Sequence, residues 1–504
     1  MTPGRGTILL LLVGAAAAAA YAGTRSHGFV YDDHRFVDQN PHLAEVAAAP
    51  WRAFDPGTTG IDGAEPGMWR PLRTLSFALD RTLFGTGSPG PHLANALLHG
   101  VAAGLVLAVG LGLGLGDLAA AAGAAVFAFH PVQAEAVAWV SSRGDLLAAV
   151  VVLAAVLLHL RRSHAAWPAA LCGLGLLAKE SAAAAPLLLL AADFAAGGTA
   201  RVRERWRAAA WAAGAVAVLL VVRFAVLSAA GADPGQGRGL GLGSAGTLAA
   251  LPSMFAWYGW RTLVPSPGVF DFQLEPSLAL SLAFLGALAL VAGWHRIGPV
   301  AGGARPVRAA ALWALAALLP ATLLQVVFPL KILVADRFLY LAMAGPALAL
   351  GALAQGVGTG ACRGVLVASP LLLLATFPAA ARWRSDEALW RDTLERLPGN
   401  ARALHGMGAA TESRPRVSVE YYRAAVDAEP RNAVAWFRLG LVEASLFSGE
   451  PDAGVAKWRL KLAVASLNQA IRLWEGGEPE GRTRGLPEAR EARDLYATLL
   501  KEFL

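Results

Sequence analysis

Cysteine is almost missing from these 504 residues: there are two, Cys172 and Cys362. Both lie in or beside apolar runs, so neither a disulfide framework nor a cysteine metal site is expected. Charge is scarce as well. Asp, Glu, Lys and Arg make up 16% of the chain, against about a quarter in soluble domains. The deficit is local. From Met1 to about Ala380 apolar runs dominate, and charges come in short clusters. From Arg382 to Leu504 charges are frequent and no apolar run is long enough to cross a bilayer. That shift predicts a membrane part, residues 1–381, and a water-soluble part, residues 382–504. The net charge of +7 is explained by arginines in short loops, so no nucleic-acid partner is called for.

What the chain does have is hydrophobic residues, 56% of the total. A bilayer core about 30 Å thick takes roughly 20 apolar residues as helix, and such runs must be helical to satisfy their own backbone. Eleven runs are candidate spans: 7–22, 93–115, 118–129, 146–160, 165–178, 181–194, 208–229, 278–294, 309–327, 338–353 and 364–378. Three are short and would tilt little or sit in thinned lipid. The run 248–263 holds Pro252, Trp257, Tyr258, Trp260 and Arg261. It suits a helix lying at the interface, with a further span as the alternative. The first run, behind Arg5, is expected to be an uncleaved anchor; a cleaved leader is the alternative.

Orientation follows from Lys and Arg in short loops. Arg161, Arg162, Arg201, Arg203, Arg205, Arg207, Arg296, Arg305 and Arg308 fall on one side in this count, with Arg5 and Arg363. The N-terminus is therefore expected in the cytoplasm. Loop 23–91 and the C-terminal part are expected outside.

The C-terminal part contains internal similarity. Residues 400–404, Asn-Ala-Arg-Ala-Leu, lead through Gly408 to Tyr421, Tyr422 and a closing Pro430. The pattern restarts at Asn432 and runs through Trp436, Leu439 and Gly440. Residues 463–474 repeat the look of the second helix, and 387–398 resemble the second helix of a preceding unit. This is similar to the tetratricopeptide repeat, with two recognisable units and parts of two more. Stacked helix pairs of this kind leave a concave surface. It could dock a protein or peptide acceptor, or be a plain helical cap.

Charge near a membrane segment is costly, so clusters at one face need an explanation. Under the orientation above, the outer face gathers Tyr31-Asp32-Asp33-His34-Arg35, Trp69-Arg70-Pro71-Leu72, and His92 with Asn95. It also gathers His130, Glu135, Arg143-Gly144-Asp145, Lys179-Glu180 and Asp336-Arg337. Carboxylates there can act as general bases, and the cations can hold a phosphate or diphosphate. Together they suit a substrate with an anionic head and a lipid tail, such as a sugar carried on a polyprenyl phosphate. Plainer readings stand beside each. Asp32-Asp33 can be a solvated turn or N-cap. Glu135 can be an interfacial charge, and His130-Pro131 a helix end. Arg143 with Asp145 can be a surface pair, and Lys179-Glu180 a snorkelling pair. Adjacent residues do not share a face, so one of the two aspartates at most is expected to face a reacting centre.

These residues resemble the transmembrane and tetratricopeptide-repeat protein family and its bacterial relatives. The likeness lies in Phe29-Val30-Tyr31-Asp32-Asp33 with Asn40-Pro41, in Trp69-Arg70-Pro71-Leu72, and in His92 through His99. Its most specific part is Phe129 through Val140 with Arg143-Gly144-Asp145-Leu146. Ala178-Lys179-Glu180, the stretch 265–272 and Asp336-Arg337-Phe338-Leu339-Tyr340 continue it in order.

The resemblance implies an all-α membrane bundle of the GT-C glycosyltransferase type with a C-terminal repeat solenoid. It implies inverting transfer of a mannose-like sugar from a polyprenyl-phosphate donor to a Ser or Thr hydroxyl of a protein. Asp32 is then the first choice as base, with Asp33 beside it and Glu135 as a supporting carboxylate. Arg143, Lys179 and Arg337 would hold the lipid phosphate. His130, Arg70, Asp145, Glu180 and Tyr340 complete the candidate set. No cofactor and no metal ligand set are expected. The repeats are fewer than is usual among the family's animal members, which argues against a long acceptor groove. The glycine-rich loop 231–246 is expected to be mobile. The competing readings are a non-catalytic scaffold that displays the repeats, and a transporter. A transporter would show internal symmetry or broken helices near the midplane.

Overall fold

The computed structural model describes residues 3–61, 68–230, 243–272, 274–297, 304–327, 333–477 and 482–502. Most of the glycine-rich loop expected at 231–246 lies outside the described residues. Among the described residues the chain is helical throughout and contains no strand. Two compact units separate. One comprises Met1–Gly268 with Phe272–Arg384, the other Val269–Asp271 with Ser385–Leu504.

The first unit is built from apolar helices, and their termini follow from local sequence. Pro89–Gly112 (24 residues) opens on two prolines, which are tolerated where N–H groups have no helical partner. At 1.5 Å per residue it rises about 36 Å, enough to cross a bilayer. Its partner Pro3–Ala20 crosses it at two glycines. A Cβ on Gly100 would lie 2.5 Å from the Gly14 carbonyl oxygen, so only glycine permits this approach. Likewise a Cβ on Gly351 would lie 2.2 Å from the Ala119 carbonyl oxygen.

By length and composition, six helices among the described residues can cross a membrane. They become seven if Asp336–Ala342 and Ala344–Val357, bent by 50°, form one broken span. The chain is thus a multi-pass membrane protein, with fewer span-length helices than the eleven runs counted from sequence. The difference has physical causes. Run 208–229 and run 181–194 from Ala185 onward fall in one 45-residue helix, Ala185–Ala229, broken at Gly198 where φ is +69°. Runs 118–129 and 165–178 form helices of 13 and 11 residues. The first of these is buried over 119–128 by other helices, and an apolar run shielded by protein looks in sequence like one shielded by lipid. Residues 248–263 belong to the helix Gly243–Leu263.

The second unit is a row of helices: Asp386–Arg396, Ala401–Ala410, Pro415–Ala428, Ala433–Phe447, Ala453–Glu475 and Arg482–Glu502. Each packs on the next. Ser385, Asn400, Asn432 and Asp452 cap their helices by accepting backbone N–H groups. Small residues set the spacing. Gly406 leaves room for the Trp390 ring, Gly408 for Tyr422 and Gly440 for Leu467. Residues 269–271 join this unit: Asp271 accepts from Asn400 at 3.0 Å and Arg402 at 2.7 Å, and Phe270 meets Trp390 edge-on.

Candidate functional site

The first helix ends at Ala20, and the chain turns sharply at Tyr31, whose φ is +55°. That left-handed residue is uncommon outside glycine, and Asp32 and Asp33 follow it directly. Asp33 is fully buried. Its Oδ1 accepts from the Ser141 N–H at 2.7 Å and from Ser141 Oγ at 2.6 Å, and its Oδ2 accepts from the Val30 N–H at 3.1 Å. Burial pushes its pKa up to about 7 against these hydrogen bonds, and the charge of Asp32 adds to the rise. Asp32 is half-buried. Asp33 therefore ties the loop to the turn before the helix Arg143–Leu160, while its neighbour is held nearer the surface.

Around Asp32 lies a set of ion pairs. Glu135, on the short helix Gln133–Ala138, pairs with Arg337. Burial raises the Glu135 pKa, opposed by Arg337. Lys179 donates to Asp145 and lies 5.5 Å from the centre of the Phe338 ring. Burial lowers its pKa to about 8, while the Asp145 charge pulls the other way. Glu180 is gripped by Arg70 at 2.8 and 3.2 Å, and by Arg223.

These pairs act on one another. Arg337 responds to the charges of Glu135, Asp145 and Asp32; Arg70 responds to Glu180, Asp145 and Arg337. An aromatic wall stands beside them. Arg337 lies 5.4 Å from the Trp139 ring centre, Trp139 stacks on Trp383 at 5.1 Å, and Tyr31 meets Trp139 at 6.0 Å. Such an arrangement can hold an anionic group against several cations with a carboxylate alongside, while flat rings cover an apolar or sugar face.

Asp32, Glu135, Asp145, Lys179, Glu180, Arg70 and Arg337 are thus brought into one electrostatic cluster. Arg143 lies in another. It is 1% exposed in its side chain and pairs with buried Asp80. It also donates to Asn95 Oδ1 at 2.7 Å and the Pro91 carbonyl at 2.7 Å, and covers the Phe77 ring. With its fork occupied, it joins helices rather than facing the cluster. His130 is buried, accepts from the Val132 N–H at 3.4 Å, and has its pKa lowered to about 4 by burial and by Arg261. Tyr340 is buried between helices, its hydroxyl 2.8 Å from His99 Nδ1. His99 Nε2 donates to the Ala128 carbonyl at 3.0 Å, so Nδ1 is the acceptor and Tyr340 the donor.

Sequence reasoning missed Arg223, Arg261, Asp80 and Ser141. Arg223 also donates to the Trp69 carbonyl. Arg261 clasps Asp336 in a two-pronged pair, at 2.9 and 2.7 Å, and reaches Ser266. A lone arginine inside an apolar run is itself a sign of an internal partner. For Ser141 no comparable sign exists.

Fold and charge cluster together define a helical multi-pass membrane protein that gathers a network of buried ion pairs around Glu135, Lys179 and Glu180. Its homologues are protein O-mannosyl-transferases. It is 36% identical over 231 residues to protein O-mannosyl-transferase Tmtc2 of Drosophila melanogaster, covering 42% of this chain and 24% of that protein. It is 38% identical over 149 residues to Tmtc1 of the same fly (29% and 17%), and 33% identical over 155 residues to human TMTC2 (30% and 18%). The matched part spans about a quarter or less of the length of these relatives. No family model and no solved structure matches the chain.

Proposed function

We propose that this chain is a membrane glycosyltransferase of GT-C type. It moves a mannose-like sugar from a polyprenyl phosphate to a Ser or Thr hydroxyl of a protein, with inversion. The observation that carries this reading is the half-buried Asp32, whose charge acts on Arg337 in the cluster that also holds Lys179 and Arg70, in a chain whose homologues are named protein O-mannosyl-transferases.

In this mechanism Asp32 takes the hydroxyl proton as the oxygen attacks the sugar carbon. The new C–O bond forms as the bond to the phosphate oxygen breaks, and polyprenyl phosphate leaves. Arg337, Lys179 and Arg70 stabilise the charge that grows on the leaving phosphate. Glu135 positions Arg337, Asp145 positions Lys179, and Glu180 positions Arg70, each through its ion pair. Asp33 holds the loop rather than the proton, because its oxygens are occupied by Ser141 and Val30.

The C-terminal helices are read as degenerate tetratricopeptide repeats that dock the acceptor, on the outer side of a bacterial inner membrane, with the N-terminus in the cytoplasm. Two experiments test the whole. Asp32→Asn should abolish sugar transfer from a polyprenyl-phosphate donor while the protein still inserts; undiminished transfer refutes the assignment of the base. A reporter fused at Leu504 should report the outer side; a cytoplasmic readout overturns the orientation.

A further inference from the structure

The helix ends remote from Asp33 hold a second feature. A cavity of about 330 Å³ lies there, lined by the helices Ala185–Ala229, Ala304–Val327 and Ala344–Val357 and by the turn after Gly112. Most of its wall residues are apolar, small ones such as Ala195, Ala310 and Ala352 beside Trp313 and Leu348, and Gln355 adds a polar side chain. Among the described residues that line it, Arg305 is the single charged group, and it is exposed.

Nearby arginines already have hydrogen-bond acceptors. Asp193, fully buried between the wall residues Ala192 and Ala195, accepts from Arg201 and Arg205 at 3.1 Å each and from His159 at 2.7 Å. Arg308 donates to the carbonyls of Val291 and Ala292. Arg305 has no such carboxylate among the described residues of the cavity wall. Exposed Arg161, Arg162, Arg203 and Arg207 make this end positive; exposed Asp117 and Glu204 offset them only in part.

We propose that this cavity is a binding site for an anionic phospholipid, with an acyl chain in the apolar space and the phosphate on Arg305. In a membrane protein the medium that fills an apolar space between helices is lipid, and basic pockets between spanning helices select acidic headgroups. The site is separate from the transfer chemistry and needs only that the first unit be embedded in a bilayer.

The test uses the full chain, purified and stripped of lipid in detergent. Binding of phosphatidylglycerol, phosphatidylcholine and glycerol phosphate is measured by native mass spectrometry. One arginine at a membrane surface favours an anionic headgroup about fivefold. Phosphatidylglycerol should therefore bind about fivefold more tightly than phosphatidylcholine, and Arg305→Gln should erase that preference. Ala352→Phe, which fills the cavity, should weaken both lipids. Glycerol phosphate, with no chain, should not compete. Equal affinity for the two lipids, or a preference that survives Arg305→Gln, overturns the proposal. So does lipid binding indifferent to Ala352→Phe. Arg305 is exposed, so its variant decides the question even where Ala352→Phe does not fold.

Discussion

Replacing Arg143 by lysine keeps one positive charge and removes the guanidinium fork. In the native chain that fork serves three partners on two helices at once: Asp80 on the helix Pro71–Phe84, and Asn95 and Pro91 on the helix Pro89–Gly112. A lysine nitrogen donates from a single point and can keep the pair with Asp80 but not the other two contacts. Two charge-assisted hydrogen bonds are lost, each contributing about 1.5–3 kcal/mol. Because the site is buried and the pair with Asp80 is kept, the lower part of that sum applies, about 3–5 kcal/mol. At about 2 °C per kcal/mol for a large domain, the melting midpoint in detergent should fall by about 6–10 °C. Arg143→Met combined with Asp80→Leu should recover most of that loss, since it removes both buried charges together. An Arg143→Lys protein that melts like the wild type yet transfers no sugar would refute this reasoning. It would return Arg143 to the role of a phosphate ligand.

Two further outcomes follow from the same geometry. Asp33 has a folded pKa near 7, above the ordinary value of 3.8, so its contribution to stability is complete below about pH 4 and is lost as pH rises through 7. The wild-type melting midpoint, taken relative to Asp33→Asn, should therefore fall as pH rises from about 4 to about 7 and level off above; a flat difference across that window contradicts the buried carboxylate. In the C-terminal unit, a Cβ on Gly408 would come within 2.8 Å of the Tyr422 ring. Gly408→Ala should destabilise that unit by about 1–3 kcal/mol, visible as easier proteolysis within 385–504 with no change in membrane extraction.

Much of the cluster was legible because charge in an apolar chain is conspicuous. Asp32, Glu135, Lys179 and Arg337 stand out in sequence because each sits beside an apolar run; in the structure Arg337 pairs with Glu135, and its charge acts together with those of Asp32 and Lys179. Pairing was not legible. Nothing near Arg143 in sequence points to Asp80, 63 residues away, rather than to Asp145, two residues away. A side chain on a helix reaches three or four residues along, and beyond that only packing decides. The adjacent aspartates could be separated in principle but not assigned, because their fates depend on Ser141, a residue type with many ordinary uses. The span count was the least legible quantity. Hydropathy measures shielding from water, and the helix Asp117–Phe129 obtains that shielding from its neighbours.

The hydrogen bonds from Ser141 to Asp33 bridge 108 residues. During synthesis the aspartate pair emerges well before its anchor exists. The loop that carries Asp32 can reach its final form only after the helix Pro89–Gly112 and the segment through Ser141 have been inserted. The site therefore matures in step with the later helices. A chain arrested between residues 33 and 141 would carry both aspartates without the anchor that fixes Asp33.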